Sequence, residues 1–195
     1  WHAIPADYLL LYSLLYLFLS TSYILGRFLE RRFLNFVSEI FVWVGSLWLA
    51  AMVYFLLFSF LIDMLRIIAV ISGENPRAMY ADYEQLKLFV LIAVTFVVTI
   101  IVVWGFLNAR NPRIKKLDIE KKKKAGDLSS LKIAVASDIH LGTIICRKRL
   151  EKIVGMINGL DADIVLLPGD VVDEDLGPVI KQNLGEVLKT IKSKY

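Results

Sequence analysis

The chain has 195 residues, of which 57% are hydrophobic and 22% charged, and its formal net charge is +4 at pH 7. Ordinary soluble domains are only ~45–50% apolar, so the composition excludes a purely soluble protein. The apolar residues are concentrated in residues 8–109, whereas the remainder carries many charges. The sequence therefore predicts a transmembrane helical region over 1–110 and an aqueous domain over 111–195.

The first residue and the cysteine content add two expectations. Because the chain begins with Trp1 and not with methionine, we expect it to be an internal fragment of a longer protein. Cys146 is the single cysteine, which excludes an internal disulfide and a thiolate metal site.

Three stretches without charge reach the roughly 17–25 residues that a bilayer-spanning helix needs. They cover residues 8–26, 40–62 and 88–109. No ionisable residue inside them marks an ion path, so we interpret the spans as an anchor and disfavour a transporter. Trp48 lies deep in the second span, which favours helix packing over a role at the membrane interface.

The basic residues around the spans predict the orientation. Arg27, Arg31 and Arg32 lie between the first two spans, and a dense basic cluster follows the third. Both regions are on the same side of a three-span protein, so we expect a multi-pass protein of the cell (inner) membrane whose aqueous domain is cytoplasmic.

A run of four lysines, Lys121–Lys124, belongs to that cluster. No aromatic residues alternate with the lysines, so nucleic acid is not an expected partner. Two interpretations remain open. The run either contacts anionic lipid headgroups or is a solvated linker that fixes the topology.

The aqueous domain reads as strand, helix and strand. A β-leaning run at 131–137 predicts a strand buried on both faces, and apolar residues spaced as in a helix follow it, ending near residue 158. The next strand is predicted at 163–167. This order predicts a βαβ unit with parallel strands and a right-handed crossover. A last helix is expected over 178–193, and a short strand over 113–120.

Acidic and imidazole side chains follow both strands. Asp138 and His140 come after the first strand, and Asp170 and Asp173 after the second. Because parallel strands bring their carboxyl ends to one crevice, we expect these residues to meet there. Oxygen and imidazole ligands suit Mn, Fe, Zn or similar ions, and two such ions ~3.5–4 Å apart are a common centre for phosphoester hydrolysis.

Two motifs carry a resemblance to a known family. Residues 137–142 read SDIHLG and residues 169–173 read GDVVD, which resemble the first two signature blocks of the calcineurin-like metallophosphoesterases. The spans followed by NARNPRIKKLDI resemble the membrane-anchored, bacterial-type members. The resemblance covers about residues 110–195 well and the membrane region more loosely. It implies an α/β/β/α sandwich, of which this chain holds a βαβ unit.

The resemblance also implies roles for single residues. Asp138 and His140 would hold the first of two divalent metal ions, Asp170 would bridge both ions, and Asp173 would support the site. The family's later blocks, G-N-H-[DE] and G-H-x-H, do not occur, and the only other histidine is His2. We therefore expect the catalytic histidine to lie beyond residue 195 and this chain to be inactive by itself.

The expected function of the complete protein is hydrolysis of a phosphoester or pyrophosphate bond. Its position at a membrane favours a phosphorylated small molecule or a lipid headgroup as the substrate. The alternative is a membrane scaffold or signalling protein whose phosphoesterase-like domain does not catalyse. A nucleotide-binding Rossmann domain is disfavoured, because no G-x-G-x-x-G follows the first strand.

Overall fold

The computed structural model describes residues 6–74, 82–120 and 129–195. The chain divides into two compact units, one made of residues 1–29 and 36–109 and the other of residues 30–35 and 110–195. The helices and strands, in chain order, are α1 (Ala6–Arg32), α2 (Phe36–Ile71), α3 (Tyr83–Ala109), β1 (Ile133–Val135), α4 (Arg147–Asn158), β2 (Ile164–Leu166), α5 (Gly177–Lys181) and α6 (Leu184–Leu188).

The helices α1, α2 and α3 are each long and apolar enough to cross a membrane, and each contains one of the three predicted spans. Each helix is longer than its uncharged stretch. The helix α2, for example, continues past residue 62 to Ile71, because Asp63 and Arg66 form an ion pair of 3.3 Å one turn apart and most of the following residues are apolar. Such local pairs let a helix carry charges beyond its apolar segment.

Within the first unit, α1 and α2 approach closely at two glycines. A Cβ built on Gly26 would lie 2.6 Å from the backbone nitrogen of Val42, and one built on Gly45 would overlap the backbone of Tyr23. Small residues allow this backbone approach between membrane helices. Trp48 packs edge-on against Tyr16, with ring centroids 5.8 Å apart, as its predicted role in helix packing requires.

The second unit contains the predicted βαβ unit. The strands β1 and β2 pair in parallel, with Ala134 opposite Val165, and α4 lies between them in the chain. The apolar stripe of α4 forms much of the core, since Leu150, Val154 and Ile157 are all buried.

The prediction that the first strand is buried on both faces is wrong. Ala134 is buried on the face packed against α4, but Ile133 and Val135 on the other face are 48% and 61% exposed. Within the described residues the sheet has two strands, and the face that carries Ile133 and Val135 is largely open to solvent.

The predicted helix over 178–193 is also wrong in detail, because it forms as two short helices, α5 and α6. They are separated at Asn183, whose φ of 52° is left-handed, a conformation that asparagine adopts more readily than most residues. The predicted strand at 113–120 is absent from the described stretch 112–120. Leu117 and Ile119 there are 81% and 74% exposed, so no packing favours an extended pairing.

Candidate metal centre

The two motif loops continue the pairing of the strands that precede them. Beyond β1, the Asp138 N–H donates to the Pro168 carbonyl at 3.3 Å, and the His140 N–H donates to the Asp170 carbonyl at 3.0 Å. We call residues 137–142 the first motif loop and residues 169–173 the second motif loop. The backbone ladder therefore holds the two loops side by side at the carboxyl ends of β1 and β2, as the parallel pairing predicts.

Asp138 and Asp170 meet directly in this arrangement. The Asp170 N–H donates to the Asp138 Oδ1 over 3.5 Å, and a Cβ built on Gly169 would overlap the same carboxylate oxygen. Gly169 has a φ of +78°, a conformation for which glycine carries no steric cost. The glycine thus serves both the turn and the close approach of the Asp138 carboxylate.

Asp138 and His140 both have left-handed backbones, each with a φ of 51°. Such conformations are uncommon outside glycine and cluster at functional sites. Between these two exposed residues, Ile139 is buried in the core at 7% exposure. The alternation directs Ile139 inward and leaves both candidate ligands accessible to solvent.

The backbone of Asp173 is hydrogen-bonded to the first motif loop. Its N–H donates to the Leu141 carbonyl at 2.9 Å, while the Leu141 N–H donates to the Val171 carbonyl at 2.9 Å. A Cβ built on Gly142 would lie 3.3 Å from the Asp173 Cβ. Leu141 is completely buried, so this end of the site is anchored in the core, and Asp173 is placed to support the first loop.

The donor types suit a hard divalent ion, since carboxylate oxygens and an imidazole lie on adjacent loops. Nevertheless, among residues 6–74, 82–120 and 129–195 no group of three or more histidine, cysteine, aspartate or glutamate side chains could hold a metal ion. The backbone therefore brings the candidate residues together, while their side chains do not converge on one point.

The helix that follows the first motif loop begins with basic residues. Arg147 forms an ion pair with Glu151 at 2.9 Å. Burial lowers the pKa of Arg149 from its usual value, and the positive charge of Arg110 lowers it further. Basic side chains in a first helical turn oppose the helix dipole, so the loop is followed by a locally positive region.

One pair of residues near the site was not recognised from the sequence. The Thr143 hydroxyl donates to the Glu30 carboxylate, and both side chains are buried, with exposures of 8% and 2%. Glu30 lies among the arginines from which the sequence predicts only the orientation in the membrane. An acid in that position carries no local signal of a partner 113 residues away.

The chain is similar to several curated proteins. It is 31% identical over 106 residues to a transmembrane protein with metallophosphoesterase domain from Danio rerio, a match of 54% of this chain and 23% of the relative. It is 27% identical over 164 residues to the Bos taurus protein of the same name, covering 78% of this chain and 37% of that relative. An uncharacterized metallophosphoesterase of Campylobacter jejuni is 24% identical over 135 residues, which are 68% of this chain and 34% of the relative.

No protein-family model and no solved structure matches the chain. These three relatives come from two vertebrates and a bacterium, so the bacterial-type assignment stays a prediction. The chain spans between 23% and 37% of their lengths. The Bos taurus match covers 78% of the chain. Neither the membrane region nor the aqueous region alone makes up that share, so the match includes residues of both regions. The chain is thus a membrane protein. Its similarity to transmembrane proteins with a metallophosphoesterase domain supports a relationship to that family.

Proposed function

We propose that this chain comprises the membrane anchor and the first βαβ unit of the catalytic domain of a calcineurin-like metallophosphoesterase that hydrolyses phosphoester or pyrophosphate bonds. The observation that carries the proposal is the backbone ladder between the two motif loops, with the Asp170 N–H on the Asp138 carboxylate. The names of the similar proteins support the same chemistry. The rest of the catalytic domain, including the leaving-group histidine, would lie outside this chain.

In this proposal Asp138 and His140 would hold the first of two divalent ions, and Asp170 would be a ligand of both. When bound, the ions supply Lewis acidity and an activated water at neutral pH. The chain's own contribution is orientation. The left-handed turns at Asp138 and His140 present both side chains to solvent, and Asp173 supports the first motif loop through the Leu141 carbonyl.

The proposed substrate is a phosphorylated small molecule or a lipid headgroup, because the domain is attached to membrane helices. We also propose that the domain is cytoplasmic, at the cell (inner) membrane. The presence of residues 30–35 in the same compact unit as 110–195 supports a common side for both. Lipid contact through Lys121–Lys124 remains part of the proposal, and that run lies outside the described residues.

The test uses the longest natural protein that contains this chain, purified in detergent micelles. We expect Mn²⁺-stimulated hydrolysis of an aryl phosphate monoester or diester. Asp138→Asn should lower the rate of hydrolysis by more than about 100-fold. Mutation of residues that only orient the metal ligands already lowers metal affinity or activity by about 10–100-fold. Asp161→Asn is the matched control, because Asp161 is also exposed and left-handed, with a φ of 52°, but lies outside both loops.

The scaffold alternative has one observation in its favour, which is the absence of a three-ligand cluster from the part of the chain that the structure describes. If the folded protein is inert with Mn²⁺, Fe²⁺, Zn²⁺, Co²⁺ and Mg²⁺, the catalytic proposal is wrong. Retained binding of a phosphorylated ligand in that inert protein would then support the scaffold.

A further inference from the structure

The second compact unit includes a short segment from the end of α1 and the turn before α2, residues 30–35. We call it the inter-helix segment. Its first residue, Glu30, has a side chain that is 2% exposed, and the Thr143 hydroxyl donates to its carboxylate. A buried carboxylate is costly unless hydrogen bonds compensate for the lost water. The position of Glu30 is therefore specified by its polar contacts.

The inter-helix segment also contacts the chain that follows the second motif loop. The Arg31 guanidinium lies 3.9 Å from the Glu174 carboxylate, and the Lys181 Nζ donates to the Leu34 carbonyl at 3.0 Å. A Cβ built on Gly177 would lie 2.9 Å from the Leu34 Cδ1. The Arg31 pair is largely exposed and contributes little to stability, whereas the Glu30–Thr143 contact is buried.

These contacts place the inter-helix segment at the far ends of both motif loops. Thr143 directly follows the first motif loop, and Glu174 directly follows the second. Next to Thr143, the Gly142 N–H donates to the Ile145 carbonyl at 3.2 Å. The Leu141 backbone is hydrogen-bonded to the backbones of Val171 and Asp173. A displacement of Thr143 would therefore be transmitted to the ladder that sets the two loops side by side.

We propose that Glu30 is a positioning residue for the metal loops and acts through the Thr143 hydroxyl. The inference rests on the proposed function, because it assigns the positioned loops to metal binding. It also makes the geometry of the loops depend on the chain that connects α1 to α2. Tight metal binding would then depend on the inter-helix segment as well as on the two motif loops.

The experiment measures two quantities in the full protein in micelles. Hydrogen exchange reports on the His140, Leu141 and Asp173 amides, and calorimetric titration gives the affinity for Mn²⁺. We expect Glu30→Ala and Thr143→Val each to accelerate exchange at these amides and to weaken Mn²⁺ binding by about 10-fold, the lower end for residues that orient metal ligands. The double variant should bind Mn²⁺ no more weakly than Glu30→Ala alone, because that variant already removes the Glu30–Thr143 hydrogen bond.

Conservative variants separate positioning from general stability. Glu30→Gln and Thr143→Ser keep an acceptor and a donor, so both should bind Mn²⁺ nearly as the native protein does. Glu186→Ala is the matched control, because it removes an exposed carboxylate on α6 that pairs with Lys189, and it should change neither quantity.

Two outcomes overturn the proposal and differ from a failure of the proposed function. If Asp138→Asn abolishes Mn²⁺ binding while Glu30→Ala leaves the affinity unchanged, Glu30 is not a positioning residue and the phosphoesterase proposal stands. If Asp138→Asn has no effect on Mn²⁺ binding, the loops are not the metal site, and both proposals are wrong.

Discussion

Replacing Gly169 by alanine should destabilise the second unit, and the structure gives two separate reasons. With a φ of +78°, the position costs a residue with a Cβ about 1–2 kcal/mol. The new Cβ would also overlap the Asp138 carboxylate and displace it from the Asp170 N–H, a hydrogen bond that contributes about 0.5–1.5 kcal/mol. Together these terms predict that the free energy of unfolding falls by about 1.5–3.5 kcal/mol.

The single cysteine offers an assay for this unit. Cys146 is half-buried and precedes α4, so its reaction with a thiol reagent in increasing urea follows unfolding of the second unit without a signal from the membrane helices. The urea midpoint of Gly169→Ala should be lower than that of the native protein, with the same slope.

Gly155→Ala is the matched control, and it should change stability in the opposite direction. Gly155 lies inside α4, and an added Cβ would meet nothing within 4 Å. Alanine in a helix interior is favoured over glycine by about 0.8–1 kcal/mol, so this variant should unfold at a higher urea concentration. If Gly169→Ala is as stable as the native protein while Gly155→Ala behaves as expected, the close approach between Gly169 and Asp138 is refuted.

Two further variants test the core and the electrostatics of the second unit. Leu150→Ala should lower the free energy of unfolding by about 2–5 kcal/mol in the same assay, because the side chain is completely buried and its loss leaves a cavity. The control is Ile180→Ala, at a position that is 71% exposed, which should change the free energy of unfolding by less than about 0.5 kcal/mol. Lys189 hydrogen-bonds to Glu186 and lowers the pKa of that carboxyl from its usual 4.5, so the pair's contribution is present above about pH 4.5 and is lost as the pH falls through the folded-state pKa. Lys189→Ala should therefore raise the pKa of Glu186 in a carboxyl NMR titration, and an unchanged pKa would contradict the hydrogen bond.

Local patterns in the sequence predicted a large part of this protein. The three spans follow from uncharged stretches of bilayer length, because a helix needs about 20 predominantly apolar residues to cross the hydrocarbon core. The helix α4 and the two strands follow from their periodicity. Parallel pairing then places Asp138 and Asp170 at neighbouring strand ends, which is why the sequence predicts that the two motif loops lie together.

Only the tertiary structure decided the contacts that join distant parts of the chain. The exposure of Ile133 and Val135 depends on what covers the sheet, and the break at Asn183 depends on how α5 and α6 pack. The Glu30–Thr143 contact joins residues 113 positions apart, and the fit of Gly169 to the Asp138 carboxylate depends on atomic distances. Sequence periodicity encodes which face of an element is apolar, but it does not encode which partner that face or a buried polar group will meet.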